Sequence, residues 1–178
     1  LGSIALHGLR LSETSLGSKV VVVGLGVIGQ LVCRLAEAQG SEVIGIDPDP
    51  ERSKYGDNFF TSADDVELKD VDSVIITAAT SSNEPIELAT KIARNKAKIV
   101  VIGDIPLNIS RNDFYYKELE LVVSKSYGPG RYDKQYEALG NDYPIEYVRW
   151  TENRNFEAFT KLLSQKQIHL LDLVSEEI

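Results

Sequence analysis

The chain has 178 residues, enough for one α/β domain with a proper core and too few for two full ones. Its formal net charge of −8, which no local Lys/Arg cluster offsets, excludes non-specific binding to nucleic acid, because a phosphate backbone demands a basic face. One cysteine, Cys33, excludes an internal disulfide and a Cys-rich zinc site, and nowhere do the roughly 18 apolar residues of a membrane span occur in a row.

Residues 1–11 carry apolar side chains at near-helical spacing and predict a leading helix. A polar turn with Gly17 leads into Lys19-Val20-Val21-Val22-Val23, the pattern of a strand buried on both faces of a parallel sheet. Ile28, Leu31, Val32, Leu35 and Ala36 then mark one face of a helix that Gly40 ends. A second strand at 42–47 stops at Pro48 and Pro50. Short apolar runs predict further strands at 58–60, 73–77, 98–102 and 118–124. Pro85 opens a helix whose apolar face is Ile86, Ala89, Ile92 and Ala93. The alternation means an α/β, doubly wound parallel sheet, a Rossmann fold of six strands in the order 3-2-1-4-5-6. After Ser126 comes a turn-rich aromatic segment, then an extended stretch at 143–150 and a last amphipathic helix bearing Phe156, Phe159, Leu162 and Leu163. The expected division is residues 1–142 as a nucleotide-binding domain with its leading helix, and 143–178 as a segment returning elsewhere. Residues 1–11 and 143–178 are expected to leave the core fold.

The chemistry centres on Gly24-Leu25-Gly26-Val27-Ile28-Gly29, between the first strand and its helix. Gly24 permits the tight turn, Gly26 lets backbone approach a pyrophosphate, and Gly29 lets helix and sheet pack closely. The N–H groups near Val27 and Ile28 face an anion with the helix dipole behind them. Asp47 ends the second strand 18 residues past Gly29, where a carboxylate accepts both adenosine-ribose hydroxyls and repels a 2′-phosphate. That pattern favours NAD over NADP. Against it stand a turn-capping role for Asp47 before Pro48 and the proximity of Arg52, which suits either a 2′-phosphate or the adenosine ribose.

The opening Gly2-Ser3-Ile4-Ala5-Leu6-His7-Gly8-Leu9, then Gly17-Ser18-Lys19-Val20 and the glycine turn, resemble the cofactor domain of medium-chain, zinc-type alcohol dehydrogenases, and the resemblance runs along nearly the whole chain. More narrowly, residues 77–87 and Ser126-Tyr127-Gly128-Pro129-Gly130-Arg131-Tyr132-Asp133 look like bi-domain oxidoreductases, in which such a dehydrogenase precedes a Gfo/Idh-type domain. The resemblance implies an NAD-dependent oxidoreductase acting on an alcohol or sugar-like substrate, with Thr77, Ala78 and Ala79 passing the nicotinamide ribose and Ile102 and Gly103 meeting the carboxamide. It implies Ser3 beside the nicotinamide ribose, Arg52 against the adenosine ribose, and a possible homodimer through the sixth, edge strand.

The family's zinc ligands belong to a catalytic domain with no counterpart here, so zinc is not expected on this chain and its catalytic residues stay unknown. With no methionine and Leu1 in front, the chain is read as a fragment that binds cofactor without turnover. Cys33 is expected to be a small buried hydrophobe, and His7 to pack or cap, with proton relay as its other reading. Tyr127, Arg131 and Tyr132 either build a rigid turn or border the substrate, Arg131 then meeting a phosphate or carboxylate. Asp64-Asp65 and residues 175–177 read as solvated charge. With no signal peptide and no membrane segment, the default location is the cytoplasm. A non-catalytic nucleotide-sensing module uses the same glycine turn and acidic residue, but would need neither the leading helix nor the 127–133 segment. A methyltransferase fits less well, since its loop normally lacks a glycine at the spacing of Gly29.

Overall fold

Successive side chains of a strand point to opposite faces, and an unbroken valine run therefore needs a layer on each side. Strand β1 (Lys19–Val23) meets that demand, with Val20 and Val22 in one core and Val21 and Val23 in another. In the computed structural model, which describes residues 1–173, β1 lies between β2 (Glu42–Ile46) and β4 (Val71–Ile76). Val21 pairs with Ile44 on one side and Val74 on the other. β3 (Phe59–Phe60) extends the sheet beyond β2, while β5 (Ala93–Val101) and β6 (Glu120–Val123) extend it beyond β4. All pairings are parallel and the order is 3-2-1-4-5-6, as the alternation of elements predicts.

Helices α1 (Gly2–Leu11), α2 (Val27–Ala38) and α7 (Glu152–Ser164) cover one face of the sheet, and α4 (Glu84–Ile92) and α5 (Arg111–Lys117) the other. Single turns form α3 (Pro50–Ser53) and α6 (Lys134–Glu137). The leading helix and the tail pack into the core rather than standing off it. Ala5, Leu6 and Leu9 join Val32 and Leu35 in one apolar cluster with Phe159 and Ile168. Glycines permit the approach: a methyl group on Gly2 would lie 2.5 Å from the Phe159 ring, and one on Gly8 2.1 Å from Ile102.

Three elements differ from the sequence expectation. β5 begins at Ala93, not Lys98, because the chain bulges through Lys96 (φ +61°) and its register jumps from Val71–Ala93 to Ser73–Lys98. α5 has no apolar periodicity and no buried residue. The 143–150 stretch is not simply extended: Tyr147 and Val148 both donate to the Pro144 carbonyl in a turn. Residues 175–177 lie outside the described residues.

Candidate functional site

The order of the sheet reverses at β1, so the loops leaving β1 and β4 part at the carboxyl ends of the strands and open a crevice there. Gly24 turns the chain at φ +97°, a conformation glycine adopts without strain, and a methyl group on it would lie 2.6 Å from the Ala78 nitrogen. Gly29, in the first turn of α2, sits against the Gly24 carbonyl. Gly26 differs from both: a side chain there would meet nothing within 4 Å, so this part of the turn faces open space. Gly26 is also the N-cap of α2, without a side-chain cap, and the first N–H groups of the helix, at Val27 and Ile28, have no acceptor within it. An anion entering the space beside Gly26 meets these donors and the positive end of the helix dipole.

Asp47 is 3% exposed, an unusual burial for a carboxylate. Its Oδ2 accepts the Leu25 N–H at 2.7 Å and an Arg52 guanidinium N–H at 3.4 Å, and its Oδ1 accepts the Asp49 N–H at 2.9 Å. These bonds compensate the burial and fix the carboxylate against the glycine turn. The capping reading is thus present in the geometry through Asp49, yet the same group also reaches across 22 residues to Leu25. Pro48 is exposed beside it. Arg52 is half exposed and divided between Asp47 and Asp49, its Nε lying 3.3 Å from Asp49.

The opposite wall of the crevice is built by the turns after β4 and β5. The Thr77 hydroxyl donates to the Gly24 carbonyl at 2.5 Å, and the Thr77 and Ala78 N–H groups both donate to Val23. Ile102 and Gly103 in turn donate to Ile76, and a methyl group on Gly103 would lie 1.9 Å from the Ala78 oxygen. Ala79 is exposed at the rim. Gly24, Thr77, Ala78 and Gly103 therefore form one contiguous floor, and Asp47 and Arg52 lie at its far corner. Sequence reasoning missed Gln30, which is 2% exposed on α2 and donates from Nε2 to the carbonyls of Leu25 and Arg52. The only signal was a polar residue flanked by the buried Gly29 and Leu31.

The 127–132 segment forms a separate cluster. Arg131 lies 4.4 Å from the centre of the Tyr132 ring and 5.4 Å from that of Tyr127. Its guanidinium pairs with Glu137 at 2.9 Å, and the Tyr127 hydroxyl bonds the same carboxylate. Gly128 packs on His7, whose imidazole titrates below its ordinary value because of burial and the neighbouring Arg10 charge. Tyr132 is 70% exposed. Ser3 is buried in the first turn of α1. Cys33 is fully buried on α2, and burial, then the Glu37 charge, push its thiol well above the usual range. Among the described residues no group of three or more His, Cys, Asp or Glu side chains is placed to hold a metal ion, and no helix is long and apolar enough to cross a membrane. A cavity of about 520 Å³ lies away from the crevice, beyond α2, lined by Arg34, Glu37 and His169 among others.

Comparison with known proteins supplies three kinds of likeness. The family model described as "D-isomer specific 2-hydroxyacid dehydrogenase, NAD binding domain" matches residues 7–113. Among curated proteins, the 2-dehydro-3-deoxy-L-galactonate 5-dehydrogenase of Pseudoalteromonas atlantica is 27% identical over 161 residues, 82% of this chain and 44% of that protein. The D-guloside 3-dehydrogenase of Escherichia coli is 51% identical over 45 residues, 25% of this chain and 13% of that one. The chain thus spans less than half the length of these relatives. A solved structure, the cobalt- and zinc-bound thermostable alcohol dehydrogenase of Pyrobaculum aerophilum, superposes with a TM-score of 0.69 at 16% identity over 94% of this chain and 46% of that one. At that identity the likeness is one of fold.

Proposed function

We propose that this chain, which belongs to the family of NAD binding domains of D-isomer specific 2-hydroxyacid dehydrogenases, is the cofactor-holding half of a medium-chain, zinc-type oxidoreductase acting on a sugar-like alcohol. The family match covers residues 7–113, the nucleotide-binding core that such dehydrogenases share. The medium-chain reading is supported by what lies outside that match, the first turn of α1 and the tail with α7. It is supported too by the relative that acts on a sugar acid, whose similarity extends over 161 residues. The short but closer likeness to a D-guloside dehydrogenase supports the bi-domain variant of the reading.

One observation carries the cofactor assignment. The buried carboxylate of Asp47 is bonded to the Leu25 N–H of the glycine turn, so a ribose site and a pyrophosphate site are held in fixed relation. In this reading Gly26, Val27 and Ile28 receive the pyrophosphate, whose close approach the open space at Gly26 permits. Asp47, Pro48 and Arg52 border the adenosine ribose. The turns at Thr77, Ala78, Ala79, Ile102 and Gly103 line the place of the nicotinamide. When bound, the cofactor supplies or accepts a hydride, and the chain's own part is to orient the ring and exclude water around it. Polarising the substrate oxygen falls to a catalytic domain outside this chain. Arg131, already paired with Glu137, acts in this reading as a brace for the segment that faces that domain.

NAD is the preferred cofactor, because a 2′-phosphate would face Asp47, whose charged partner, Arg52, also pairs with Asp49. Calorimetric titration with NADH and NADPH, beside Asp47→Ala, tests the proposal. Preferential NADH binding that the substitution weakens is the expected result. Binding of neither nucleotide refutes it. The exposed edge at Val123 further supports a two-fold dimer through β6; a monomer by ultracentrifugation at high concentration refutes that part.

A further inference from the structure

We infer that Gln30 is a positioning residue for the adenosine half of the cofactor, and that Arg34 and the His169 carbonyl hold its side chain in place. The inference rests on the cofactor reading above and concerns how that site keeps its shape. Gln30 is the first residue after the fingerprint and the fourth of α2, and its side chain turns inward instead of out to solvent. A single amide nitrogen, Nε2, donates to Leu25 at 3.4 Å and to Arg52 at 3.1 Å. Those carbonyls belong to two loops' worth of chain around Asp47, the glycine turn before it and the single turn of α3 after it. From above, Asp47 joins the loops through the Leu25 N–H, the Asp49 N–H and the Arg52 guanidinium. From below, Gln30 joins them through their carbonyls. The ribose corner is therefore clamped on two levels, the upper by a carboxylate and the lower by an amide.

The lower clamp has its own support. Arg34 lies four residues along the same face of α2, and its Nη1 donates to Gln30 Oε1 at 2.8 Å. With its acceptor engaged, the amide has one sensible orientation, with the NH2 toward the two carbonyls. The Arg34 Nε donates to the His169 carbonyl at 2.8 Å, which ties the clamp to the tail. The Thr77 and Gly103 N–H groups, at the other end of the crevice, donate to Val23 and Ile76, and the Thr77 hydroxyl meets the glycine turn at the Gly24 carbonyl. Loosening Gln30 therefore acts most strongly on the adenosine end, where both of its carbonyl partners lie.

The full chain and its Gln30→Met variant, which keeps the volume but neither donor, are titrated with ADP-ribose, and amide hydrogen exchange is followed without nucleotide. The variant is expected to bind ADP-ribose about tenfold more weakly, the scale of one lost buried hydrogen bond. Exchange should quicken more at Leu25 and Asp49 than at Thr77 and Gly103. A folded variant with wild-type affinity overturns the inference, as does exchange that quickens equally at both ends, which is general loosening. Should Gln30→Met not fold, Arg34→Ala is read by the same two measurements, and unchanged ADP-ribose affinity there overturns the inference. A wild-type chain that binds neither ADP-ribose nor NADH overturns the cofactor reading itself, a result distinct from any variant's.

Discussion

Gly29 stands so close to Gly24 that a methyl group on it would lie 1.9 Å from the Gly24 carbonyl oxygen. The contact ties the first turn of α2 to the end of β1, and Thr77 closes it from the other side with a hydrogen bond to the same oxygen. Gly29→Ala should therefore push α2 off the sheet and cost about 1–3 kcal/mol of stability. Gly26→Ala, where a methyl group meets nothing within 4 Å, should leave stability within about 1 kcal/mol while weakening NADH binding about tenfold or more. Thermal unfolding and nucleotide titration of both variants check the contrast. If the two lose stability equally, the distinct roles of these glycines are wrong.

His7 makes stability depend on pH. Burial, then the Arg10 charge, lower its value from the ordinary 6.5, so the folded state prefers the neutral ring. The unfolded chain takes up a proton first as the pH falls. This contribution is thus complete above about 6.5 and is lost as the pH drops below that toward the folded value. His7→Gln should flatten the dependence of the unfolding midpoint on pH across that window. An unchanged slope would remove His7 from the account.

Cys33 should be inert in the native chain, since its thiol is buried and held in its neutral form. A thiol-reactive dye should label it only as fast as the protein unfolds, and denaturant should speed labelling to the rate of a free thiol. Prompt labelling of folded protein would show that the first core is open near α2.

Lys117 ends α5 with its ammonium within 2.9 Å of three carbonyls, those of Thr90, Lys91 and Ala93. They include the last turn of α4, where a cation also meets the negative end of the helix dipole. Lys117→Met should cost about 1–2 kcal/mol. Chemical denaturation measures it, and a change of under a few tenths would mean that water replaces the ammonium without loss.

The sheet and the glycine turn were legible because their physics is local. Four valines in a row need burial on two faces, Gly24 and Gly29 occupy positions that backbone sterics dictate, and Gly26 stands between them at the spacing that a close ligand approach requires. Asp47 was legible for the same reason, being placed by the end of a strand. Gln30 was not, because a glutamine on a helix looks the same whether it faces solvent or two carbonyls 5 and 22 residues away. α5 was illegible because it buries no residue, leaving periodicity nothing to record. The early start of β5 was hidden by Arg94, Asn95 and Lys96, exposed polar residues that bulge between the Val71–Ala93 and Ser73–Lys98 pairs. The placement of α1 and α7 against the sheet depended on Gly2 and Gly8, whose partners Phe159 and Ile102 are far off in the chain.

Trp150 meets two guanidinium groups, Arg10 at 3.3 Å from the ring centre and Arg149 at 3.7 Å, and it is the chain's single tryptophan. The protein therefore carries one intrinsic optical probe, at the seam between α1 and the stretch before α7. Its emission in a stopped-flow mixing experiment dates the arrival of that late segment on the first helix. Far-ultraviolet circular dichroism follows the backbone as a whole, so a lag between the two signals times the closing of the seam.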